Sequence, residues 1–226
     1  MQKQPDKKTV QGCIENALEK LNIKPEIKHA GRTDRGVHAL NQVISFDIPD
    51  YWEIEKLKTS LNKILHPSIH IKKISLAENG FHPRHSAVMR SYRYVLSPDF
   101  SPFYAKYTAY YPNNINYEKT KKALKLFEGT HDFEYFAKTG SDVESYVRTI
   151  YKTDIFKYKN MSIIKIKGNG FLRAQIRLIV DFVLKVNEGI LSTDDLKRQL
   201  EKKEIISKHL ACPNGLYLER IWYAIK

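Results

Sequence analysis

The sequence predicts an α+β fold, and three observations point there. Apolar residues recur at helical spacing in several separated segments, others alternate at strand spacing, and the strands are joined by hairpins or split connections rather than by regular strand-helix-strand alternation. From Val10 the apolar residues fall at Val10, Ile14, Ala17, Leu18 and Leu21, one face of a helix, with Thr9 placed to cap it. A short strand is expected at 26–29 and another at 42–48, where Val43, Ser45 and Asp47 alternate with Ile44, Phe46 and Ile48. The loop between them reads HAGRTDRGVHA. A second helix fits 53–65 and stops at Pro67; beyond it Ile69, Ile71 and Ile74, with interleaved lysines, predict a strand.

SYRYVL at 91–96 reads as a strand, and the prolines at 98 and 102 mark the expected boundary between an N-terminal half, 1–97, and a C-terminal half, 98–226. The second half holds a helix over 117–127 ending at Gly129. A hairpin of 146–157 and 161–168 follows, turning at Lys159 and Asn160. A helix over 171–186 carries Leu172, Ile176, Ile179, Val183 and Val186 at helical spacing, with Arg173 and Arg177 on one face. A shorter helix at 194–200 and a strand at 216–224 complete the pattern.

The chain has 226 residues, 42% of them hydrophobic, enough for a substantial core. Lys and Arg total 38 against 25 Asp and Glu, a formal net charge of +13 spread along the chain, which favours a polyanionic partner with nucleic acid first. Two cysteines, Cys13 and Cys212, are too few for a disulfide framework and fit a reducing cytoplasm. The polar opening MQKQPDKKTVQ is unlike a signal sequence, and no apolar run is long enough to span a bilayer, so no membrane partner is expected.

Within the loop, Gly31 and Gly36 flank RTDR, so the chain can turn tightly around Asp34, whose ionised form is favoured by two nearby cations. Spacing alone favours a turn aspartate capping a backbone amide over a catalytic carboxylate, and the glycine pattern is neither a dinucleotide fingerprint nor a phosphate-binding loop. Tyr92 and Tyr94 share a strand face, where cross-strand packing is the ordinary role. His29, His38, His82 and His85 invite a metal reading. Yet His82 and His85 lie in a loop with no cysteine near, so no metal or other cofactor is expected. Arg84, Arg90, Lys3, Lys7 and Lys8, with Arg173 and Arg177, are candidates for the phosphate backbone.

Taken together the motifs say more. GRTDRGVHA closely resembles the GRTD-x-GVHA box of the bacterial tRNA pseudouridine synthase A family; KTVQGCIENAL, FHPRHSAVMRSYRY, HDFEYFA, NGFLRAQIR and NGLYL follow in that family's order across nearly the whole chain. The resemblance implies a pseudouridine synthase fold, two ferredoxin-like halves sharing a central, mostly antiparallel sheet with an active-site cleft. It implies Asp34 as the catalytic nucleophile, Tyr92 against the target base, Arg177 paired with the aspartate, Arg32 holding the base out of the RNA stack, and Leu216 at the substrate. It also implies a cytoplasmic homodimer that isomerises uridines 38, 39 and 40 of the tRNA anticodon stem-loop. A carboxylate can form and then release a covalent adduct, which remaking a glycosidic bond requires; addition at uracil C6 and attack at ribose C1′ both remain open.

The family usually begins with a strand carrying a YDG-x-x-F-x-GWQ-type segment, and here Met1 stands where its aromatic would be. The expectation is a chain lacking that strand because its start lies too far downstream, the later motifs being intact. Smaller departures are Arg35, Gln175, Leu178 and Asp181. Two other readings compete: a catalytically impaired tRNA-binding protein, and a hydrolase using Asp34 with a histidine.

Overall fold

The computed structural model describes residues 9–24, 26–140 and 143–224; the lysines at 3, 7 and 8 lie outside them. In chain order the elements are α1 (Val10–Glu19), β1 (Lys28–His29), β2 (His38–Ala39), β3 (Ile44–Ser45), α2 (Ile54–Leu65), β4 (Ala87–Ser97), β5 (Ala109–Tyr110) and α3 (Tyr117–Lys125). There follow β6 (Gly129–Asp132), β7 (Val147–Tyr158), β8 (Met161–Gly168), α4 (Gln175–Glu188), α5 (Thr193–Leu200) and β9 (Leu216–Tyr223). This is an α+β chain.

It packs as two units: Met1–Thr33 with Gln42–Ala87, and Asp34–Asn41 with Val88–Lys226. Grouping by packing thus takes 34–41 and most of β4 out of the N-terminal 97 residues. Among the described residues the strands form two sheets, β1 with β3, and a larger one in the order β2-β9-β4-β8-β7-β6 with β5 beside β4.

In the first unit, the Thr9 hydroxyl accepts the Gly12 N–H at 3.1 Å and starts α1, as expected. Ile14, Ala17 and Leu18 on α1 then meet Leu57, Leu61 and Leu65, spaced four apart along α2, in one apolar cluster. The strands are shorter than their sequence alternation predicts, because alternation records which side chains are buried and not where the backbone bonds go. Ile44, Phe46 and Ile48 all pack on the cluster, yet the ladder registers only Lys28 with Ser45 and His29 with Ile44.

The strand predicted around Ile69, Ile71 and Ile74 does not form. All three isoleucines pack on the cluster, but the polar backbone of Ile71 is satisfied by one side chain. Its N–H donates to Asn62 Oδ1 at 2.7 Å and its carbonyl accepts from Asn62 Nδ2 at 3.0 Å.

In the second unit, β4 and β8 run antiparallel with Tyr92 opposite Ile166 and Tyr94 opposite Ile164, and the β7-β8 hairpin turns at Lys159, whose φ is 55°. The core lies on one face of this sheet. There α4 buries Ile176, Ile179, Val183 and Val186 with Tyr94, Ile155, Ile164 and Ile166. The helix begins later than its apolar spacing predicts: Ala174 takes a left-handed conformation, φ 59°, which ends any helical path through 171–173. Arg173 therefore precedes α4 and does not share a helical face with Arg177. Helix α5 is fixed by a capping box between Ser192 and Asp195.

Glu219 on β9 ties three strands together. Its carboxylate is 14% exposed and takes Arg93 at 2.8 Å and Lys165 at 2.9 Å, with the Ser91 hydroxyl at 3.2 Å. Burial works against its charge, but Lys165, Arg93 and Ser91 outweigh it and hold the carboxyl below the ordinary glutamate value. A depressed value gives stability that is present above the unfolded pKa and lost as pH falls through the folded one. Glu219→Gln is expected to cost about 1.5–3 kcal/mol at pH 7, with the difference from wild type closing below about pH 4 in thermal melts.

A short 3₁₀ turn, Pro213–Gly215, leads into β9. A Cβ on Gly215 would stand 2.8 Å from the Val95 carbonyl oxygen, 2.9 Å from Ala109 Cβ and 3.0 Å from Tyr94 Cε1. Two of these neighbours are fixed by strand pairing, so Gly215→Ala is expected to destabilise by about 1–3 kcal/mol in denaturant titration.

Candidate active site

Asp34 opens a tight turn in the second unit. Its carbonyl accepts the Val37 N–H at 3.2 Å, and Gly36 takes a φ of +82°, which glycine adopts without steric cost. A side chain there would also approach Asn214 Oδ1 and Pro213 Cγ at 3.1 Å. Beyond the turn, β2 pairs in parallel with β9, His38 against Tyr217, and the Leu40 N–H donates to the Leu218 carbonyl at 2.8 Å. The His38 ring stacks on Tyr217 at 4.8 Å, and its Nε2 lies 2.7 Å from the Lys106 carbonyl oxygen. The carboxylate is thus carried on a loop held by a ladder and a packed ring.

Arg177, in the first turn of α4, faces it. Its Nη1 donates to Asp34 Oδ2 at 3.2 Å and its Nε donates to the Ala211 carbonyl at 2.7 Å, so the guanidinium is held from two sides. The Arg177 side chain is 14% exposed and that of Asp34 is 37% exposed. The cation is shielded while the carboxylate stays open to an incoming molecule. Such a pairing fixes the direction in which the carboxylate points.

Tyr92 stands on the core face of β4 with its ring edge-on to Phe171 at 5.2 Å. Burial pushes its phenol up to about 12, against the opposing charge of Arg90 and with the help of the Asp34 carboxylate. It is a neutral ring close enough to Asp34 to feel its charge. Two residues on, the Tyr94 hydroxyl donates to the Cys212 carbonyl at 2.7 Å, and burial raises its pKa too. Tyr94 is a packed core residue.

Of the other expected site residues, Leu216 is 6% exposed, within the core of the second unit. Arg32 is an exposed residue of the first unit, where its charge acts on His29. Among the described residues no group of three or more His, Cys, Asp and Glu is placed to hold a metal ion. The segment 211–215, of which the NGLYL motif contains only Asn214 and Gly215, braces the site. Ala211 receives Arg177, Cys212 receives Tyr94, Pro213 and Asn214 abut Gly36, and the Asn214 amide donates to the Ala105 carbonyl at 2.8 Å. Pro-Asn-Gly before the last strand signals a turn, but nothing local signals what the turn touches.

A family profile described as tRNA pseudouridine synthase matches residues 1–85 and 123–224. A tRNA pseudouridine synthase A of Campylobacter jejuni (strain RM1221) is 44% identical over 222 residues, 97% of this chain and 92% of the relative. One from Helicobacter hepaticus is 39% identical over 230 residues, 99% of this chain and 92% of the relative. One from Limosilactobacillus reuteri (strain DSM 20016) is 40% identical over 229 residues, 97% and 90% of the two chains.

Proposed function

The chain belongs to the tRNA pseudouridine synthase family, and on that premise we propose that it isomerises uridines 38, 39 and 40 of the tRNA anticodon stem-loop, with Asp34 as the nucleophile. The observation that carries the assignment is the ion pair between Asp34 and Arg177, residues 143 apart in sequence, in the same unit as the half-buried ring of Tyr92.

The chemistry follows from those groups. The N1–C1′ glycosidic bond breaks, a C5–C1′ bond forms, and the proton lost from C5 is balanced by one gained at N1. Asp34 forms and then releases an adduct, at C6 or at C1′, while the freed base turns to present C5. Arg177 holds the carboxylate in one orientation through its hydrogen bond to Oδ2, itself anchored on the Ala211 carbonyl. Tyr92 offers an apolar face to a base removed from its stack, and a neutral phenol does so without repelling Asp34. Arg32 and Leu216 are assigned to holding the flipped nucleotide. No step calls on a metal or redox group.

By the same family reasoning the working species is a cytoplasmic homodimer. No helix among the described residues is long and apolar enough to cross a membrane. The deciding experiment incubates the protein with unmodified tRNA carrying uridine at the three positions and maps pseudouridine at nucleotide resolution. Pseudouridine at 38–40 supports the assignment; release of free uracil would point to hydrolysis, and binding without product would sink the enzyme reading.

A further inference from the structure

In the second unit the chain turns once between Ser101 and Thr108. The Tyr104 N–H donates to the Ser101 carbonyl at 3.1 Å, and the Tyr104 carbonyl accepts the N–H groups of Tyr107 at 2.8 Å and Thr108 at 3.0 Å. Carbonyls at the end of such a turn point onward, beyond the reach of its own N–H groups. Here three in succession are met by side chains from the Asp34 loop and from the segment that abuts it. Asn214 Nδ2 donates to the Ala105 carbonyl at 2.8 Å, His38 Nε2 lies 2.7 Å from that of Lys106, and the Tyr217 hydroxyl donates to that of Tyr107 at 2.5 Å. A carbonyl oxygen only accepts, so Nε2 of His38 carries a proton. The same ring stacks on Tyr217 at 4.8 Å and lies tilted at 5.3 Å from Tyr107.

These contacts bear on Asp34. His38 closes the short loop that Asp34 opens, and Asn214 lies against the turn between them, its Oδ1 3.1 Å from the place a Gly36 Cβ would take. The loop is therefore tethered at both ends. Arg177, which itself hangs on the Ala211 carbonyl, holds the carboxylate, and the His38 ring holds the other end on the Lys106 carbonyl. A loop held only at its ion pair is free to pivot about it; a second tether sets the line along which the carboxylate leaves the backbone.

We infer that His38 and Asn214 are positioning residues for the reaction: their hydrogen bonds to the Lys106 and Ala105 carbonyls fix where the Asp34 carboxylate stands. The inference rests on the proposed role of Asp34 as nucleophile and deepens it. A displacement of about 1 Å at a reacting atom costs on the order of 10²-fold in rate, and a donor removed from the far end of the loop displaces the carboxylate without altering any group that meets the substrate.

The test uses the full chain and an unmodified tRNA transcript. Single-turnover rate at saturating protein, RNA dissociation constant and thermal melt are compared, at a temperature where each variant is folded. His38→Phe keeps a ring beside Tyr217 but has no N–H to donate, and His38→Gln restores a donor near the Nε2 position. The rate is expected to fall about 10–100-fold in His38→Phe and to recover to within about fivefold of wild type in His38→Gln, with RNA affinity within about twofold throughout. Asn214→Ala should lower the rate about tenfold, and adding it to His38→Phe should cost no more than about threefold further, because both bonds set one loop. Should His38→Phe fail to fold, Asn214→Ala decides by the same comparison of rate with affinity. A structural role alone would lower the melt and leave the rate of the folded protein unchanged. A full rate in the folded variants, a weaker affinity with the saturated rate intact, a glutamine no better than phenylalanine, or falls that multiply in the double variant overturns the inference. Asp34→Asn, run alongside, separates the two readings. An inactive Asp34→Asn beside a full-rate His38→Phe refutes the positioning alone, whereas an active Asp34→Asn refutes the nucleophile and the positioning with it.

Discussion

Replacing Asp34 by asparagine is expected to abolish pseudouridine formation while leaving a folded protein that still holds RNA. The amide matches the carboxylate in shape but cannot act as the anionic nucleophile, and losing such a group removes most of the catalysis that its neighbours could otherwise support. A fall of at least about 10³-fold in single-turnover rate is expected. Stability should change little. The side chain is 37% exposed and its ion pair with Arg177 is partly open to water, where such pairs contribute about 0–1 kcal/mol. The measurement pairs single-turnover kinetics with a thermal melt and an RNA-binding isotherm. A variant that melts like wild type, binds RNA within about threefold of it and still makes product at a tenth of the rate would place the nucleophile elsewhere.

Arg177 should show a different pattern, because it spans two partners. Arg177→Leu removes the donor to Asp34 and the donor to the Ala211 carbonyl, and is expected to lower the single-turnover rate by about 10²–10³-fold. It should also cost about 1.5–3 kcal/mol in unfolding free energy, since a largely buried charged hydrogen bond is lost. Arg177→Lys separates the two contributions. An ammonium keeps a positive charge near Asp34 but lacks the planar fork that reaches both oxygens at once. Its rate should lie between wild type and Arg177→Leu, and a lysine variant no better than leucine would show that orientation, not charge, is what the aspartate needs.

How much of this was legible in the sequence differs by level. Local elements with their own stop and start signals read correctly: Thr9 caps α1, and Lys159 and Asn160 turn the β7-β8 hairpin. The misreadings share one cause. The Ile69, Ile71 and Ile74 alternation and the apolar spacing from Phe171 report burial, which periodicity encodes. The backbone path there is decided by Asn62 and by the left-handed Ala174, which periodicity does not encode.

The site divides in the same way. Asp34 and Arg177 could be named from motif resemblance, but spacing alone left Asp34 as an ordinary turn aspartate, because its partner lies 143 residues away. Arg177 lies on α4 as the apolar spacing predicts, whereas Arg173 precedes the helix. In the sequence His38 is one histidine among several. Its work, stacking on Tyr217 and meeting the Lys106 carbonyl, depends on strands that no local pattern brings together.

The five residues ACPNG at 211–215 carry a consequence of their own. Two of their contacts are made by main-chain oxygens, Ala211 to Arg177 of the site and Cys212 to Tyr94 of the core, while Pro213 and Gly215 act through shape. The Cys212 residue itself is exposed. Its sulfur is therefore a bystander to the support that its own carbonyl gives. Oxidants in the surroundings can reach the thiol without editing the hydrogen bond beneath it, and the chain keeps its reactive geometry in the part of the residue that all amino acids share.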